Sequence, residues 1–172
     1  MATGGYLCGM NYFELFDLPV TLKVDRSALS KKYFELQKQH HPDFYTQADE
    51  DEQKEAIEKS SLINKALKTL QDADQTIHYV LQLKGLLKGN EQYILPPDFL
   101  MEMMELNEKL AEEDPETFKQ EVDGLENELY ESVNDIIENY SNDSITTENL
   151  LKIKEYYFKK KYLHRILDRL DD

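Results

Sequence analysis

The stretch His40-His41-Pro42-Asp43 determines how the first part of this chain folds. Helix-favouring residues precede it. A proline ends such a helix near His41, because its ring removes a backbone donor and disfavours helix in the preceding residue. Asp43, which follows, is common in turns. The sequence therefore predicts two helices that meet at a sharp corner, with His41, Pro42 and Asp43 at its tip.

The helices on either side of this corner are both amphipathic. Asp25 is a suitable N-cap for the first, whose apolar stripe is Leu29, Tyr33, Leu36 and His40. The second runs from about residue 49 to residue 70, with the buried stripe Ala56, Ser60, Ile63, Leu67 and Leu70. Small side chains on this stripe permit close approach, so we expect an antiparallel hairpin. Shorter apolar helices are expected at 11–18 and 77–83.

The first helix of the hairpin is basic, although the chain as a whole is acidic. The formal net charge of −15 argues against nucleic acid and anionic lipid as partners, because both attract positive surfaces. Lys31 and Lys38 nevertheless lie on the side of this helix opposite the stripe, with Lys32 on the flank. The basic face is either an ordinary solvated surface or a docking surface for an acidic partner.

The densest cluster of turn-forming residues lies at 85–97, and we place a linker there. The charge changes at the same point. Residues 1–95 carry 11 basic and 14 acidic side chains, whereas residues 96–172 carry 9 and 21. The expected organisation is a flexible leader at 1–9, a first domain at 10–84, the linker, and a second domain at 98–172.

The second domain contains three amphipathic stretches, at 98–113, 115–140 and 146–170, which predict an antiparallel three-helix bundle. The core stripe of the first is Phe99, Met103, Leu106 and Leu110. That of the second is Phe118, Val122, Leu125, Leu129, Val133, Ile136 and Tyr140. The last helix has two apolar stripes, either of which can face the core: Ile153, Tyr156, Leu163, Leu167 and Leu170, or Phe158, Tyr162 and Ile166. Its basic residues complement the acidic first and second helices by charge.

Three apolar residues of the first bundle helix do not belong to its core stripe. Leu100, Met101 and Met104 project beside Glu105 and Glu108. An apolar face with a rim of carboxylates suits a protein partner, and methionine adapts to irregular surfaces. The alternative is that the rest of the chain covers this face, and the pattern favours neither.

The sequence does not indicate an enzyme. Adjacent histidines on a helix point about 100° apart, so His40 and His41 cannot easily bind the same metal ion. His40 in addition continues the buried stripe. A phosphate loop or a nucleophile motif is not found, and no cofactor or metal is expected. The single cysteine, Cys8, fits a reducing cytoplasm. No apolar run reaches the ~18–20 residues that span a bilayer.

Residues 12–70 resemble a J-domain. The resemblance rests on the short aromatic helix, the basic helix with Tyr33 and Leu36, and the tripeptide His41-Pro42-Asp43, followed by Ile63-Asn64-Lys65-Ala66 and Leu70. In that family the tripeptide contacts a DnaK-type chaperone and stimulates its ATP hydrolysis, while the J-protein itself catalyses nothing. The resemblance implies a chaperone-binding set of His41, Pro42, Asp43, Lys31, Lys32 and Lys38.

The whole chain from Met10 resembles the HscB family, the co-chaperones of iron–sulfur cluster assembly. The signs are the order of the domains and the stretch Phe99-Leu100-Met101-Glu102, followed by Glu105-Leu106. The resemblance implies that the bundle binds a scaffold protein of the IscU type and delivers it to an ATPase of the HscA type. The implied scaffold-binding residues are Leu100, Met101, Met104, Glu105, Glu108 and an aromatic of the last helix, for which Tyr157 aligns best and Phe158 is the alternative.

We therefore expect an all-α, L-shaped co-chaperone of the bacterial, cytoplasmic type, with a J-domain followed by an acidic three-helix bundle. Two other interpretations stay open. One is a general J-protein with a different client, and the other is a helical adaptor without a chaperone role. A metal-dependent enzyme is a distant third, because the spacing of metal ligands is missing.

Overall fold

Two groups of helices make up the protein, and contacts between residues divide the chain between Val80 and Leu81. The computed structural model describes residues 9–89, 91–110 and 112–170, apart from the side chain of Leu170. This described part is helical and contains no strand, which confirms the predicted all-α class. The expected leader lies, except for Gly9, outside the described residues.

The first unit is built from helices that begin at polar caps. Its elements are α1 (Tyr12–Leu15), α2 (Arg26–His40), a 3₁₀ turn (Pro42–Tyr45), α3 (Glu50–Leu70) and α4 (Ala73–Leu83), of which α4 continues past Val80. Asn11 and Glu14 form a capping box on α1, and Asp25 and Asp49 accept backbone hydrogen bonds at the starts of α2 and α3. These caps satisfy amide groups that have no partner inside a helix.

The α2–α3 hairpin forms as predicted, but its core is shared unevenly. Leu29 is buried, whereas Tyr33, Leu36 and His40 are only partly buried. In α3 the buried set is Ala56, Ser60, Ile63, Ala66 and Leu70, so Ala66 lies in the core and the expected Leu67 is only partly covered. The apolar face of α3 is therefore wider than one stripe.

The short helix α1 lies between its neighbours, with Phe13 and Phe16 almost completely buried. The rings of Tyr12 and Tyr79 stack with their centroids 4.4 Å apart. The backbone N–H of Tyr12 donates to the hydroxyl of Tyr79 at 2.9 Å. A four-residue helix is unstable alone, so these contacts with α4 hold it in place.

The second unit contains α5 (Pro97–Lys109), α6 (Pro115–Glu131), α7 (Asn134–Glu138) and α8 (Thr147–Leu167), followed by a 3₁₀ turn (Asp168–Leu170). One core cluster consists of Leu95, Phe99, Met103, Leu106, Phe118, Val122, Leu163 and Ile166. The predicted stripe of α5 is confirmed at its first three positions. On α8 the core takes residues from both candidate stripes, because α5 and α6 cover a broad arc of this helix.

The stretch that we expected to be a linker packs against the second unit. Leu95 belongs to the core cluster, and the ring of Tyr93 stacks on that of Phe158 at 4.6 Å. Glu91 accepts a hydrogen bond from Lys154 at 2.6 Å, and this bond lowers the pKa of Glu91. Although it is rich in turn-forming residues, part of this stretch is therefore packed onto the second unit.

The single helix expected over residues 115–140 is divided in two. Helix α6 ends at Glu131, and the Ser132 hydroxyl donates to the carbonyl of Leu129 at 2.6 Å. Serine competes in this way with the hydrogen bonds of a continuing helix. The interruption rotates the next turn, so Ile137 is buried, whereas Ile136 of the predicted stripe is only partly buried.

Two phenylalanines of the first unit test this account of its core. Phe13 is 0% exposed and Phe34 is 63% exposed. We expect Phe13→Ala to lower the free energy of unfolding by ~3–5 kcal/mol, because it leaves a cavity. The same truncation at Phe34 should cost less than ~0.5 kcal/mol. Urea unfolding followed by circular dichroism measures both, and equal losses would contradict the assigned core.

Candidate functional site

The tip of the hairpin, His41-Pro42-Asp43, is a turn fixed by its own backbone. His41 ends α2 by donating its backbone N–H to the carbonyl of Gln37 at 2.9 Å. Its carbonyl accepts from the N–H of Phe44 at 3.0 Å. Its side chain caps the next turn, because Nδ1 accepts from the N–H of Asp43 at 3.3 Å. One residue therefore closes a helix and opens the following turn.

These bonds determine what the tip presents to solvent. The Nδ1 atom of His41 lies 3.5 Å from a carboxylate oxygen of Asp43. The imidazole and the carboxylate therefore lie side by side at the end of the hairpin. The side chain of Asp43 is 83% exposed. The tip thus presents a fixed, accessible anion beside an exposed imidazole.

Residues beyond the tip hold the turn from its other side. The hydroxyl of Tyr45 donates to the carbonyl of Gln39 at 2.9 Å, and Gln53 Nε2 donates to the carbonyl of Ala48 at 2.8 Å. Phe44 stays 68% exposed, with its ring edge-on to His41 at 6.2 Å. Phe44 was not among the residues predicted to form the tip, although it directly follows the tripeptide in the sequence.

The predicted basic residues do not form one set. Lys31, Phe34, Lys38 and His41 are all exposed and recur at helical spacing, so they share one solvent-facing stripe. Lys32 instead donates to Asp17 at 2.8 Å. This hydrogen bond raises the pKa of Lys32 and lowers that of Asp17. Lys32 therefore lies beside the stripe and is hydrogen-bonded to the carboxylate of Asp17.

Asn64 connects the basic helix to α3. Its Oδ1 accepts from the hydroxyl of Tyr33 at 3.1 Å and from Nε2 of Gln37 at 3.0 Å. Both donors lie on α2, one and two turns before the tip. The asparagine of the Ile63-Asn64-Lys65-Ala66 stretch therefore positions the helix that carries the tip, a role that its sequence context alone did not reveal.

In the second unit, the surface of α5 formed by Leu100, Met101, Met104, Glu105 and Glu108 is largely open. We call it the α5 surface. Met101 is 57% exposed and Met104 is 64% exposed, and both glutamates are exposed. Leu100 is partly buried and packs against the core cluster. The apolar residues left over from the core stripe are thus accessible, with Leu100 anchored and the methionines free to adapt.

The two candidate aromatics of α8 have different environments. The ring of Phe158 lies parallel to that of Tyr93 and packs against the core cluster. Tyr157 is half-buried, with its ring 5.2 Å from that of Phe158 and with Lys161 Nζ 5.9 Å away. Both side chains are partly buried, but Phe158 packs against the core cluster and Tyr157 is not among the residues that do so.

A groove of about 420 Å³ lies between α5 and α8. Met104 and Glu108 of the α5 surface line one wall, and Tyr162, Arg165 and Arg169 line the other. Arg165 lies 5.1 Å from the centre of the Tyr162 ring, and Arg169 donates to Asn107 at 2.8 Å. Sequence reasoning missed these three residues, of which Tyr162 and Arg165 lie on α8 and Arg169 lies in the 3₁₀ turn that follows it.

An ion pair and a histidine–carboxylate contact join α6 to α8, in line with the predicted charge complementarity. Glu126 Oε1 lies 3.1 Å from Lys160 Nζ, and Glu126 Oε2 lies 3.1 Å from His164 Nε2. Burial acts to raise the pKa of Glu126, but the hydrogen bonds from His164 and Lys160 outweigh it and hold that pKa below its usual value. Part of the positive charge of α8 is thus paired with a carboxylate of α6.

The described residues also bear on metal binding and on membrane insertion. No group of three or more His, Cys, Asp or Glu side chains in this part of the chain is placed to hold a metal ion. Nor does a helix among these residues have the length and apolarity needed to cross a membrane.

Comparison with known proteins identifies the family. Residues 95–171 match the family described as "HSCB C-terminal oligomerisation domain". The chain is 43% identical over 102 residues to a "Co-chaperone protein HscB homolog" of Vibrio cholerae, and the match covers 59% of this chain and 60% of that relative. It is 34% identical to the homolog of Colwellia psychrerythraea, over 95% of this chain and 97% of the relative.

A solved structure agrees with the sequence matches. The crystal structure of human co-chaperone protein HscB superposes with a TM-score of 0.80 at 28% identity, and covers 95% of this chain and 82% of the human chain. The likeness thus extends over both units. Together with the relative that matches almost from end to end, it shows that the chain belongs to the HscB family of co-chaperones.

Proposed function

We propose that this chain binds an iron–sulfur cluster scaffold protein of the IscU type and delivers it to a DnaK-type ATPase of the HscA type, whose ATP hydrolysis it stimulates. Membership of the HscB family supports the proposal. The observation that carries it is the presence of two exposed surfaces of different chemistry on separate units: the His41-Pro42-Asp43 tip and the α5 surface.

The first unit is suited to engage an acidic surface of the ATPase. Lys31 and Lys38 are exposed on the stripe that leads to the tip, and they attract such a surface at long range. The carboxylate of Asp43 is available to a cation of the ATPase. An interface of this kind is small and electrostatic, so it is weak and sensitive to salt.

The second unit is suited to hold the scaffold protein. Met101 and Met104 supply an apolar centre, and Glu105 and Glu108 supply a polar rim, which is the usual anatomy of a protein interface. Tyr157 adds an aromatic from α8. Sites of this composition bind a folded protein and catalyse nothing by themselves.

Carrying both sites on one chain has a physical purpose. A scaffold protein bound to the second unit reaches the ATPase at a high effective concentration, without any new contact. In this proposal the only chemical step is ATP hydrolysis by the partner. The co-chaperone requires no cofactor for the delivery, and the proposed setting is the bacterial cytoplasm.

The tip is tested by His41→Gln. This variant should reduce stimulation of the HscA-type ATPase to the basal rate, because it removes the imidazole that caps the turn and presents Asp43. Binding of the IscU-type scaffold should stay within about twofold of the unchanged protein, since the α5 surface belongs to the other unit and shares no residue with the tip. A steady-state ATPase assay and isothermal titration calorimetry measure the two effects.

The α5 surface is tested by Leu100→Ala combined with Met104→Ala. Scaffold affinity should fall about tenfold or more, which corresponds to ~1.4 kcal/mol of lost apolar burial. Stimulation of the ATPase in the absence of scaffold should be unchanged. If either folded variant loses both activities, the two surfaces are not separate sites and the proposal fails.

The aromatic contact on α8 is tested by truncating each candidate. Tyr157→Ala should weaken scaffold binding and lower the melting temperature less than Phe158→Ala does. Phe158→Ala removes the ring that stacks on Tyr93, so it should lower the free energy of unfolding by ~2 kcal/mol. Calorimetric binding and thermal melts of both variants decide the assignment. A binding defect confined to Phe158→Ala in stable protein would reverse it.

A further inference from the structure

Positive charge lines the α5–α8 groove in the most acidic part of the chain. Residues 96–172 carry 21 acidic and 9 basic side chains. Two of those basic residues, Arg165 and Arg169, face the same groove. Glu108 lies on the opposite wall, which α5 contributes. The two walls of the groove therefore carry opposite charges.

The side chains of both arginines are held in place. The guanidinium of Arg165 lies 5.1 Å from the centre of the Tyr162 ring, within the range of a cation–π contact. Arg169 Nη1 donates to Asn107 Oδ1 at 2.8 Å. Contacts made to a ring and to a neutral amide leave the positive charge of each arginine in place, and they reduce the entropy lost when a partner binds.

Several other basic residues of α8 are paired with carboxylates of the chain itself. Lys154 lies 2.6 Å from Glu91, Lys160 lies 3.1 Å from Glu126, and Lys152 lies 2.9 Å from Glu148. These pairs strengthen the unit from within. The two arginines differ in that they line an open groove beside Met104, one of the residues proposed to bind the scaffold.

We propose that this groove binds an aspartate or glutamate side chain of the scaffold protein. The inference rests on the proposed function and makes the interface bipolar. Glu105 and Glu108 face a basic patch of the scaffold, while Arg165 and Arg169 hold one of its carboxylates. A guanidinium offers paired donors that match a carboxylate, so the contact fixes the direction in which the scaffold lies across α5 and α8.

The test is charge reversal at both arginines, Arg165→Glu with Arg169→Glu, followed by calorimetric titration of the full chain with an IscU-type scaffold. If the scaffold presented only basic charge, two added carboxylates would strengthen binding. The bipolar groove predicts the opposite sign: affinity falls about tenfold or more, because a charge-assisted pair is replaced by repulsion. The milder pair Arg165→Gln with Arg169→Gln should also weaken binding.

A matched control separates the groove from net charge. Lys68→Glu with Lys119→Glu makes the same change in charge at two exposed lysines that do not line the groove. This control should bind the scaffold as tightly as the unchanged chain, or more tightly. Thermal melts establish that all variants are folded.

The possible outcomes are distinguishable. Unchanged or tighter binding by the arginine variants overturns the groove and leaves the proposed function standing. Equal loss in the lysine control overturns it too, since the effect is then one of net charge. If the unchanged chain binds no scaffold at all, the proposed function itself fails, and the groove proposal fails with it.

Discussion

The hairpin of the first unit turns at Pro42 because the backbone there is unable to continue helix α2. Proline lacks the backbone N–H that the next helical hydrogen bond requires. His41 closes α2 with its own backbone N–H, and its ring caps the turn that follows. Because α3 then returns along α2, the apolar faces of the two helices are buried against each other. The same constraint leaves Asp43 exposed and fixed. The surface proposed to contact the ATPase is thus a direct product of how the hairpin turns.

The second unit depends on a different balance. Its helices bury a common apolar core, and the negative charge that collects on α6 is partly neutralised by α8, as at Glu126. Side chains outside this core are accessible: two methionines and two glutamates on α5, one arginine on α8 and one in the 3₁₀ turn that follows it. The function proposed for this unit therefore depends on side chains that do not belong to its core. The co-chaperone family to which the chain belongs gives these surfaces their proposed partners.

Local patterns in the sequence predicted much of this structure. The cap at Asp25, the corner at Pro42, and the stripe of Phe99, Met103 and Leu106 each depend on residues close in sequence, so they were readable in advance. The break after Glu131 was not, because Ser132 fits a helix until its hydroxyl bonds the preceding turn. The packing of Tyr93 on Phe158 and the pairing of Lys32 with Asp17 join residues from different elements. At the candidate sites, periodicity identified the leftover face of α5 but not the arginines opposite it, since a basic helix face looks the same whether its charges are paired or open.

The central claim is that both sites must lie on one chain. The most direct measurement mixes two folded full-length variants, His41→Gln and the double variant Leu100→Ala with Met104→Ala, each lacking one site. The rate of ATP hydrolysis by the HscA-type chaperone is then followed with and without scaffold protein. The account predicts that the mixture does not restore the additional stimulation that the scaffold gives with the unchanged chain, because no molecule carries scaffold and tip together. Full restoration by the mixture would contradict delivery on a single chain.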